Sequence, residues 1–360
     1  MSTKHRFPAF TALIGIILAT AVAAPAHATT FCVPGYSDTC PNSGGNVAQP
    51  NLETAVNTSA SDGNPDRVLV GPMTFTDPAV FAADGSDNLE IVGSGPNLTR
   101  ITTANTTGFF TVDFTGTNQV TMRDLTVEVP AAQVNGSGGG IAMRGDVMEN
   151  VTIETRNPGA TGILTQGGGA FREGNIIGVS GGNFSFGAST LSGESGLFTI
   201  TGSLIRNASK AVYSEFPEVP IAIRDSFLFP TGNGLFSAVG SKMTVDNSVI
   251  EAGSNAAIRV VNGPAASPLI TVRHSTIVNH GDQSKVALEL EAFNGASFTS
   301  PIEFVVSDSI IRGFDTQFSR TAPASGAGRN ENLKTKGSNS SPAGWRVDNG
   351  ALDIGSDNIN

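Results

Sequence analysis

The sequence has few charges, and they form no basic patch. Only 14% of its 360 residues are Asp, Glu, Lys or Arg, and the 31 acidic residues outnumber the 21 basic ones. An acidic chain without a basic cluster binds poorly to nucleic acid or to an anionic membrane surface. We therefore expect neither of these as a partner.

Long apolar runs are also scarce. Residues 10–22 form one such run, which is short for a bilayer span, and no later stretch approaches the roughly 20 apolar residues that a span needs. The run follows two basic residues and precedes Ala26-His27-Ala28, a small-x-small cleavage site. This pattern predicts a signal peptide of bacterial type over residues 1–28, and a product that is secreted or held at the cell surface. The alternative is an uncleaved anchor.

Cysteine is limited to Cys32 and Cys40. Because an exported chain meets an oxidising environment, we predict a disulfide that closes this short loop. A metal-binding or redox pair is the alternative, but the sequence has no CxxC motif and no neighbouring His cluster. We predict no metal site and no cofactor.

The sequence does repeat one short motif many times. In each copy, three residues that alternate as in a strand are followed by a small polar corner residue and then by three more alternating residues. VTMRDLTVEV (120–129) and ITVRHSTIVN (270–279) are two copies. The copies recur every 22 to 34 residues, a loose period typical of solenoids. The predicted corner residues are Asp124, Asn150, Gly174, Gly202, Asp225, Asn247, His274 and Asp308.

A further strand-like segment precedes most corners, as in GGIAMRG (139–145) and KAVYSEF (210–216). Each repeat therefore carries three short strands without a helix between them, and parallel pairing of successive repeats would satisfy every strand. Ahead of the repeats, QPNLETAVNTSA predicts a short amphipathic helix, capped by Asn51, that covers the open end of the core.

This repeat, with Asn, Asp or Ser at one tight corner, resembles the right-handed parallel β-helix of the pectin-lyase-like superfamily. The helix followed by RVLVGPMTFTD and LEIVGSGP is similar to secreted bacterial β-helix proteins of unassigned function. The resemblance covers residues 50–360. It implies an all-β fold, a right-handed parallel β-helix of about ten three-strand coils with a short N-terminal capping helix. It leaves the activity open, because the superfamily includes lyases, hydrolases, adhesins and surface proteins.

These features divide the chain into three parts. Residues 1–28 form the signal peptide, residues 29–66 a leader with the cysteine pair and the capping helix, and residues 67–360 the β-helix. The C-terminal end alternates like a strand and shows no cap. Since an uncovered parallel edge invites aggregation, we expect that the chain is a fragment or that a partner or the last loop covers this end.

In the lyases and hydrolases of this superfamily, sites lie on the outer face of the strand that precedes the corner pair. Six side chains of these strands are predicted to point inward: Ile141, Ile163, Val212, Leu235, Ile258 and Leu288. Alternation then gives the outward side chains. They are Arg144, Leu164, Gln166, Tyr213, Glu215, Phe236, Arg259, Val261, Glu289 and Glu291.

The outward set could bind a sugar polymer. Tyr213 and Phe236 would stack on sugar rings, and Arg144 and Gln166 are further candidate contacts. The candidates for hydroxyl binding or catalysis are Glu215, Arg259, Glu289 and Glu291. The alternative is an ordinary solvated strand face.

Catalysis would need two carboxyls at a defined separation, about 5–5.5 Å in a retaining glycosidase and about 6.5–9.5 Å in an inverting one. Glu215 and Glu289 lie about three coils apart, or about 14 Å, which is too far. Glu289 and Glu291 lie about 6.5 Å apart on one strand and form the best available pair. The motifs of polygalacturonases and calcium-dependent pectate lyases are missing, and His274 fits the corner role.

We therefore predict a secreted, non-catalytic β-helix protein that acts outside the cell by binding or scaffolding, on a polysaccharide or surface partner. The alternative is a polysaccharide lyase or glycoside hydrolase that acts on a carbohydrate polymer. The ligand and the oligomeric state stay open.

Overall fold

The computed structural model describes residues 29–59, 65–77, 81–82, 88–104, 110–116, 119–130, 138–179, 181–191, 195–238, 241–262, 269–279, 286–292, 302–321, 331–336 and 351–354. The predicted signal peptide lies outside these residues.

Short strands make up most of the described chain. Its one helix is α1 (Leu52–Ser59). The strands are β1 Thr30–Val33, β2 Val47–Ala48, β3 Asp66–Val70, β4 Thr74–Asp77, β5 Phe81–Ala82, β6 Leu89–Val92, β7 Arg100–Thr103, β8 Phe110–Phe114, β9 Val120–Val129, β10 Gly139–Met143, β11 Val147–Thr155, β12 Ala160–Thr165, β13 Gly169–Arg172, β14 Asn175–Gly178, β15 Phe184–Thr190, β16 Phe198–Thr201, β17 Leu204–Arg206, β18 Ala208–Ser214, β19 Ile221–Arg224, β20 Phe227–Phe229, β21 Asn233–Ala238, β22 Lys242–Asp246, β23 Val249–Ala252, β24 Ile258–Asn262, β25 Leu269–Arg273, β26 Thr276–Asn279, β27 Val286–Ala292, β28 Ile302–Ser307, β29 Ile310–Arg312, β30 Thr316–Thr321, β31 Glu331–Lys336 and β32 Ala351–Ile354.

The strands pair in parallel and form two sheets. The 22-stranded sheet, which we name the corner sheet, holds the strands on both sides of each corner. The second sheet holds the strand that precedes each corner pair. Its ten strands stack in the order β5, β8, β10, β12, β15, β18, β21, β24, β27 and β30. The predicted all-β parallel β-helix is thereby confirmed.

The corners are residues in the left-handed region of backbone space. Seven of the eight predicted corner residues have a positive φ there, from 45° at Asn247 to 60° at Gly202. The exception is Gly174, because Glu173 takes the corner with a φ of 52°. Gly174 instead occupies an inward position, where a Cβ atom would collide with the ring of Phe171.

The core consists of inward columns that run from coil to coil. Alternation along the repeats predicts that Val120, Met122, Leu125 and Val127 point inward, and all four are fully buried. The same count predicts that Phe227 and Phe229 point inward, which is wrong: Phe227 is half exposed, and Leu228 between them is buried. The reason is that alternation is counted from the corner, and the first residue after corner Asp225 is the inward Ser226.

Buried serines form a ladder directly after the corners of successive coils. They are Ser203, Ser226, Ser248, Ser275 and Ser309. The hydroxyl of Ser226 donates to the carbonyl of Arg224 at 2.6 Å and accepts the backbone N–H of Ser203 at 3.2 Å. The same two bonds recur at each rung. The ladder therefore provides hydrogen-bond partners for backbone N–H and C=O groups at the corners that parallel strand pairing leaves unpaired.

Replacing Ser226 with Ala should lower the free energy of unfolding by about 1–3 kcal/mol, because it removes the acceptor of the buried Ser203 N–H. Denaturant unfolding would measure the loss. Ser254→Ala, at an exposed loop position, is the matched control and should change stability by less than about 0.5 kcal/mol. Equal stability of the two variants would contradict this role of the ladder.

The N-terminal end of the core is covered as predicted. The Oδ1 atom of Asn51 accepts the N–H of Thr54 at 2.8 Å and caps α1. Leu52, Ala55 and Val56 on one face of α1 are buried against the first coil. A Cys32–Cys40 disulfide, with Cα atoms 5.7 Å apart, closes the loop beside β1 and confirms the predicted pairing.

Candidate functional site

The outer face of the second sheet carries the predicted stripe of side chains. The six predicted inward residues of this sheet are all fully buried. Strand register places the outward side chains in one column: Leu164, Ser189, Tyr213, Phe236, Arg259 and Glu289. Val261 pairs in register with Glu291 on the same side of the sheet, but only 8% of it is exposed. Because stacked strands lie about 4.8 Å apart, the column is a continuous surface along the helix axis.

Three aromatic rings form the centre of this face, and we name Phe186, Tyr213 and Phe236 the aromatic platform. The rings of Phe186 and Tyr213 stack with centroids 4.6 Å apart and planes at 23°. The Phe236 ring follows at 5.5 Å from Tyr213, tilted by 41°. All three side chains are partly exposed, so ring surface stays open to solvent.

Two cations flank the platform. The Nζ atom of Lys210 lies 4.9 Å from the Phe186 centroid and 5.3 Å from that of Phe236. The guanidinium carbon of Arg259 lies 5.5 Å from the Phe236 centroid. Burial, and then the positive charge of Arg259, lowers the pKa of Lys210. A larger share of Lys210 is therefore neutral at alkaline pH than for an exposed lysine.

Arg259 contacts both members of the predicted carboxyl pair. Its Nε atom lies 3.5 Å from Glu289 Oε2, and its Nη2 atom donates a hydrogen bond to Glu291 Oε2. The Nε atom is buried, and among the described residues it makes no hydrogen bond, so its contact with Glu289 is purely electrostatic. The Arg259 guanidinium thus contacts carboxylate oxygens of Glu289 and Glu291. In an acid–base pair, these oxygens would face a water molecule and the leaving group.

The Tyr213 hydroxyl donates to Glu215 Oε2 at 2.9 Å. Burial, followed by the bond to Glu215 and its negative charge, raises the pKa of Tyr213. The phenol therefore stays protonated at neutral pH and fixes one oxygen of Glu215. Three strand steps separate Glu215 from Glu289, about 14 Å along the axis.

Two of the predicted binding residues lie apart from this group. Arg144 follows β10 and Gln166 follows β12, which are three and two strand steps from the strand of Tyr213. At the coil spacing these steps correspond to about 14 and 10 Å along the axis. The structure therefore brings together Tyr213, Phe236 and the Arg259 cluster, and leaves Arg144 and Gln166 at a distance.

A buried carboxyl lies directly beside Arg144. Asp146 accepts the N–H of Val120 at 2.8 Å and that of Arg144 at 2.7 Å. Burial raises the pKa of Asp146 to about 7, although the two N–H donors act in the opposite direction. Asp146 thus binds a proton in the folded state at a pH where the unfolded chain has lost it.

Stability should therefore fall as pH rises through the window from about 4 to 7, in which the folded chain binds the extra proton. The slope contributed by Asp146 should reach about 1.4 kcal/mol per pH unit. Asp146→Asn should remove this slope, and Glu53→Gln, at an exposed position of α1, should leave it unchanged. Thermal unfolding of the three proteins between pH 4 and 8 is the measurement. Parallel wild-type and Asp146→Asn curves would contradict the assignment.

Sequence reasoning missed Lys210 and Phe186. Strict alternation from Tyr213 would place Lys210 in the interior, but Ala211 and Val212 are both fully buried, which returns Lys210 to the outer face. Phe186 lies on β15, a strand that the repeat pattern did not identify. The available signal was the segment FSFGAST, which alternates like the other strands of the second sheet.

A separate cleft lies at the N-terminal end of the solenoid. It has a volume of about 460 Å³ and is lined by the outer faces of β3 and β6, including Arg67 and Glu90. Glu90 is paired with Arg67 at 2.5 Å and with Arg123 at 3.0 Å, so these charges already satisfy one another. We place the site at the aromatic platform instead, because an open ribbon of rings and charges suits an extended ligand better than this polar cleft.

The described residues show neither a metal-binding cluster nor a membrane-spanning helix. No three His, Cys, Asp or Glu side chains there are grouped so as to hold a metal ion. In the same residues, no helix has the length and apolar character needed to cross a membrane. The lone His-x-Asp pair of the sequence, His280 and Asp282, which is weak evidence for a site, lies outside the described residues.

No protein-family model and no curated protein matches the sequence. Solved structures do match. A GH87 α-1,3-glucanase catalytic domain in complex with tetrasaccharides is 14% identical, has a TM-score of 0.54, and is matched over 86% of this chain and 67% of that one. The catalytic unit of a thermostable GH87 α-1,3-glucanase from Streptomyces thermodiastaticus is 11% identical, with a TM-score of 0.52 and coverages of 86% and 65%.

These likenesses establish the fold. They confirm the resemblance to parallel β-helix proteins at the level of architecture. They also correct one prediction: the expected non-catalytic role in binding or scaffolding is wrong, because the similar structures are catalytic domains. The absence of superfamily motifs had suggested that role, but a solenoid can assemble a site from single residues on different coils, which leaves no local motif.

Proposed function

We propose that this protein is a secreted enzyme that cleaves a carbohydrate polymer on the outer face of the second sheet. One observation carries the proposal: the aromatic platform runs directly into the Arg259–Glu289–Glu291 cluster on one face of the second sheet. Sugar rings combine an apolar face, which stacks on aromatic rings, with a rim of hydroxyls that bind carboxylates and guanidinium groups.

The proposed reaction is glycoside hydrolysis. Glu289 and Glu291 are two residues apart on β27, so their carboxyls project on one side about 6.5 Å apart, at the lower end of the inverting range. Arg259 is the proposed positioning residue, and it must release at least one carboxylate oxygen when substrate enters. The likeness to glucanase catalytic domains supports this reaction class.

A second candidate reaction is lyase chemistry on a uronic-acid polymer. Its support is the cation pair beside the platform: Arg259 would neutralise the substrate carboxylate, and Lys210, with its lowered pKa, would serve as the base. This mechanism would leave Glu289 and Glu291 with a supporting role only.

One assay separates the two reactions. The purified protein would be incubated with a panel of polymers that includes α-1,3-glucan, other neutral glucans, alginate and pectin. Hydrolysis yields new reducing ends that carry oxygen from labelled water, whereas a lyase yields unsaturated, ultraviolet-absorbing ends without that label. We expect labelled products. No cleavage of any polymer in the panel would contradict the proposed function.

Residues 1–28 are proposed to direct export and to be removed afterwards. The charged start, the apolar run and Ala26-His27-Ala28 support this, and the disulfide suits an oxidising compartment outside the cytoplasm. Mass spectrometry of the protein recovered from the culture medium of an exporting bacterial host would test it.

A further inference from the structure

The first residue after the predicted cleavage site makes a specific contact with a buried carboxylate. The backbone nitrogen of Thr29 donates to Oδ1 of Asp66 at 2.8 Å. Asp66 is only 3% exposed. The carbonyl of Thr29 accepts the N–H of Arg67 at 3.0 Å, so both backbone groups of Thr29 are held by consecutive residues of β3.

Parallel pairing fixes this contact. Strand β1 pairs with β3 in a register that sets Thr30 opposite Arg67, and Thr29 therefore lies beside Asp66. The disulfide Cys32–Cys40 and helix α1 pack against the same end of the solenoid. The nitrogen of Thr29 is thus held at the Asp66 carboxylate by a rigid cap.

We infer that the peptide bond between Ala28 and Thr29 is a processing site and that the α-ammonium group freed at Thr29 forms a partly buried ion pair with Asp66. Hydrolysis by a peptidase breaks the C–N bond. Water gives its hydroxyl to the carbonyl carbon of Ala28 and a proton to the nitrogen of Thr29, which takes a further proton near neutral pH. The inference rests on cleavage after Ala28 and is independent of the proposed carbohydrate activity.

Cleavage changes the hydrogen-bond donor that faces Asp66, and this change strengthens the contact. Before cleavage, Asp66 receives a hydrogen bond from a neutral amide. After cleavage, the same nitrogen carries a full positive charge, and a charge-assisted bond in this partly buried setting is stronger than a bond from a neutral amide. A solenoid opens first at its ends. Processing would therefore lock the N-terminal cap, which covers the open end of the core.

Local hydrogen exchange in the full exported protein tests the ion pair. A Gly inserted between Ala28 and Thr29 keeps the cleavage motif and the charge but moves the ammonium group about 3.5 Å away from Asp66. We expect it to speed exchange of the β1 amides at Phe31 and Cys32 about tenfold to a hundredfold. In an Asp66→Asn background the same insertion should change exchange less than about threefold.

A second measurement needs no substitution at Asp66. The α-amino group of the processed protein should react with an acylating reagent at least about tenfold more slowly than that of the Gly-inserted protein, because the ion pair with Asp66 holds it protonated and partly buried. The inference is overturned if the secreted protein does not begin at Thr29, if the insertion speeds exchange equally in both backgrounds, or if both N-termini are acylated at the same rate. Each of these results leaves polysaccharide cleavage unaffected.

Discussion

Replacing Glu289 with Gln is expected to reduce kcat for polymer cleavage at least about a hundredfold, and Glu291→Gln should do the same. Glutamine keeps the size of the side chain but can neither donate nor accept the proton that glycoside hydrolysis transfers. Both carboxyls lie on β27 and contact Arg259, so loss of either one breaks the proposed pair. Initial-rate kinetics on the polymer identified in the panel would measure the effect.

The matched control is Glu251→Gln. Glu251 lies on β23 of the corner sheet, away from the platform, and its replacement should leave kcat within about twofold of wild type. Arg259→Lys refines the result, because lysine keeps the charge but cannot contact two carboxylates with a planar fork. Full activity of both Glu289→Gln and Glu291→Gln would exclude the pair. A loss on Lys210→Met alone would point to the lyase reaction.

Phe236→Ala is expected to raise KM about tenfold to a hundredfold and to change kcat much less. Phe236 lies between Tyr213 and Arg259, so its removal takes away ring surface at the end of the platform nearest the Arg259 cluster. Stacking of this kind contributes on the order of 1.5–3 kcal/mol through buried apolar area. Because the sugar stacks equally in the ground and transition states, the loss should fall on KM.

The matched control for this substitution is Phe227→Ala. Phe227 is also a surface phenylalanine, half exposed, but it lies on the corner sheet. Its replacement should leave KM unchanged, whereas Phe236→Tyr should restore most of the affinity. If the two alanine variants had equal KM values, the platform would not be the sugar-binding surface.

The site explains why motif searching suggested no catalysis. Its members come from five strands, β15, β18, β21, β24 and β27. Between Phe186 and Glu289 the chain completes several coils, so residues that touch across neighbouring coils are separated by more than 20 positions. Each neighbouring pair in the column is joined by strand register and not by local sequence.

The amino-acid sequence by itself determined the features that depend on local chemistry. Alternation and small polar corners predicted the parallel β-helix, and seven of the eight corner residues were identified because only a few residue types tolerate a left-handed backbone. The Asn51 cap, the apolar face of α1 and the Cys32–Cys40 pair were equally local. Inward residues of the second sheet followed from a period of two.

Only the tertiary structure decided where side-chain packing overrides the alternation and corner patterns of the local sequence. One corner lies at Glu173 and not at Gly174, because Gly174 packs against the Phe171 ring where a Cβ atom would not fit. Because Ala211 and Val212 are both buried, Lys210 lies on the outer face beside the platform. The contacts of Arg259 with two glutamates, and of Thr29 with Asp66, depend on which coils are neighbours. Sequence reveals the period of a solenoid, but side chains on adjacent coils meet through strand register, which is set by the whole stack.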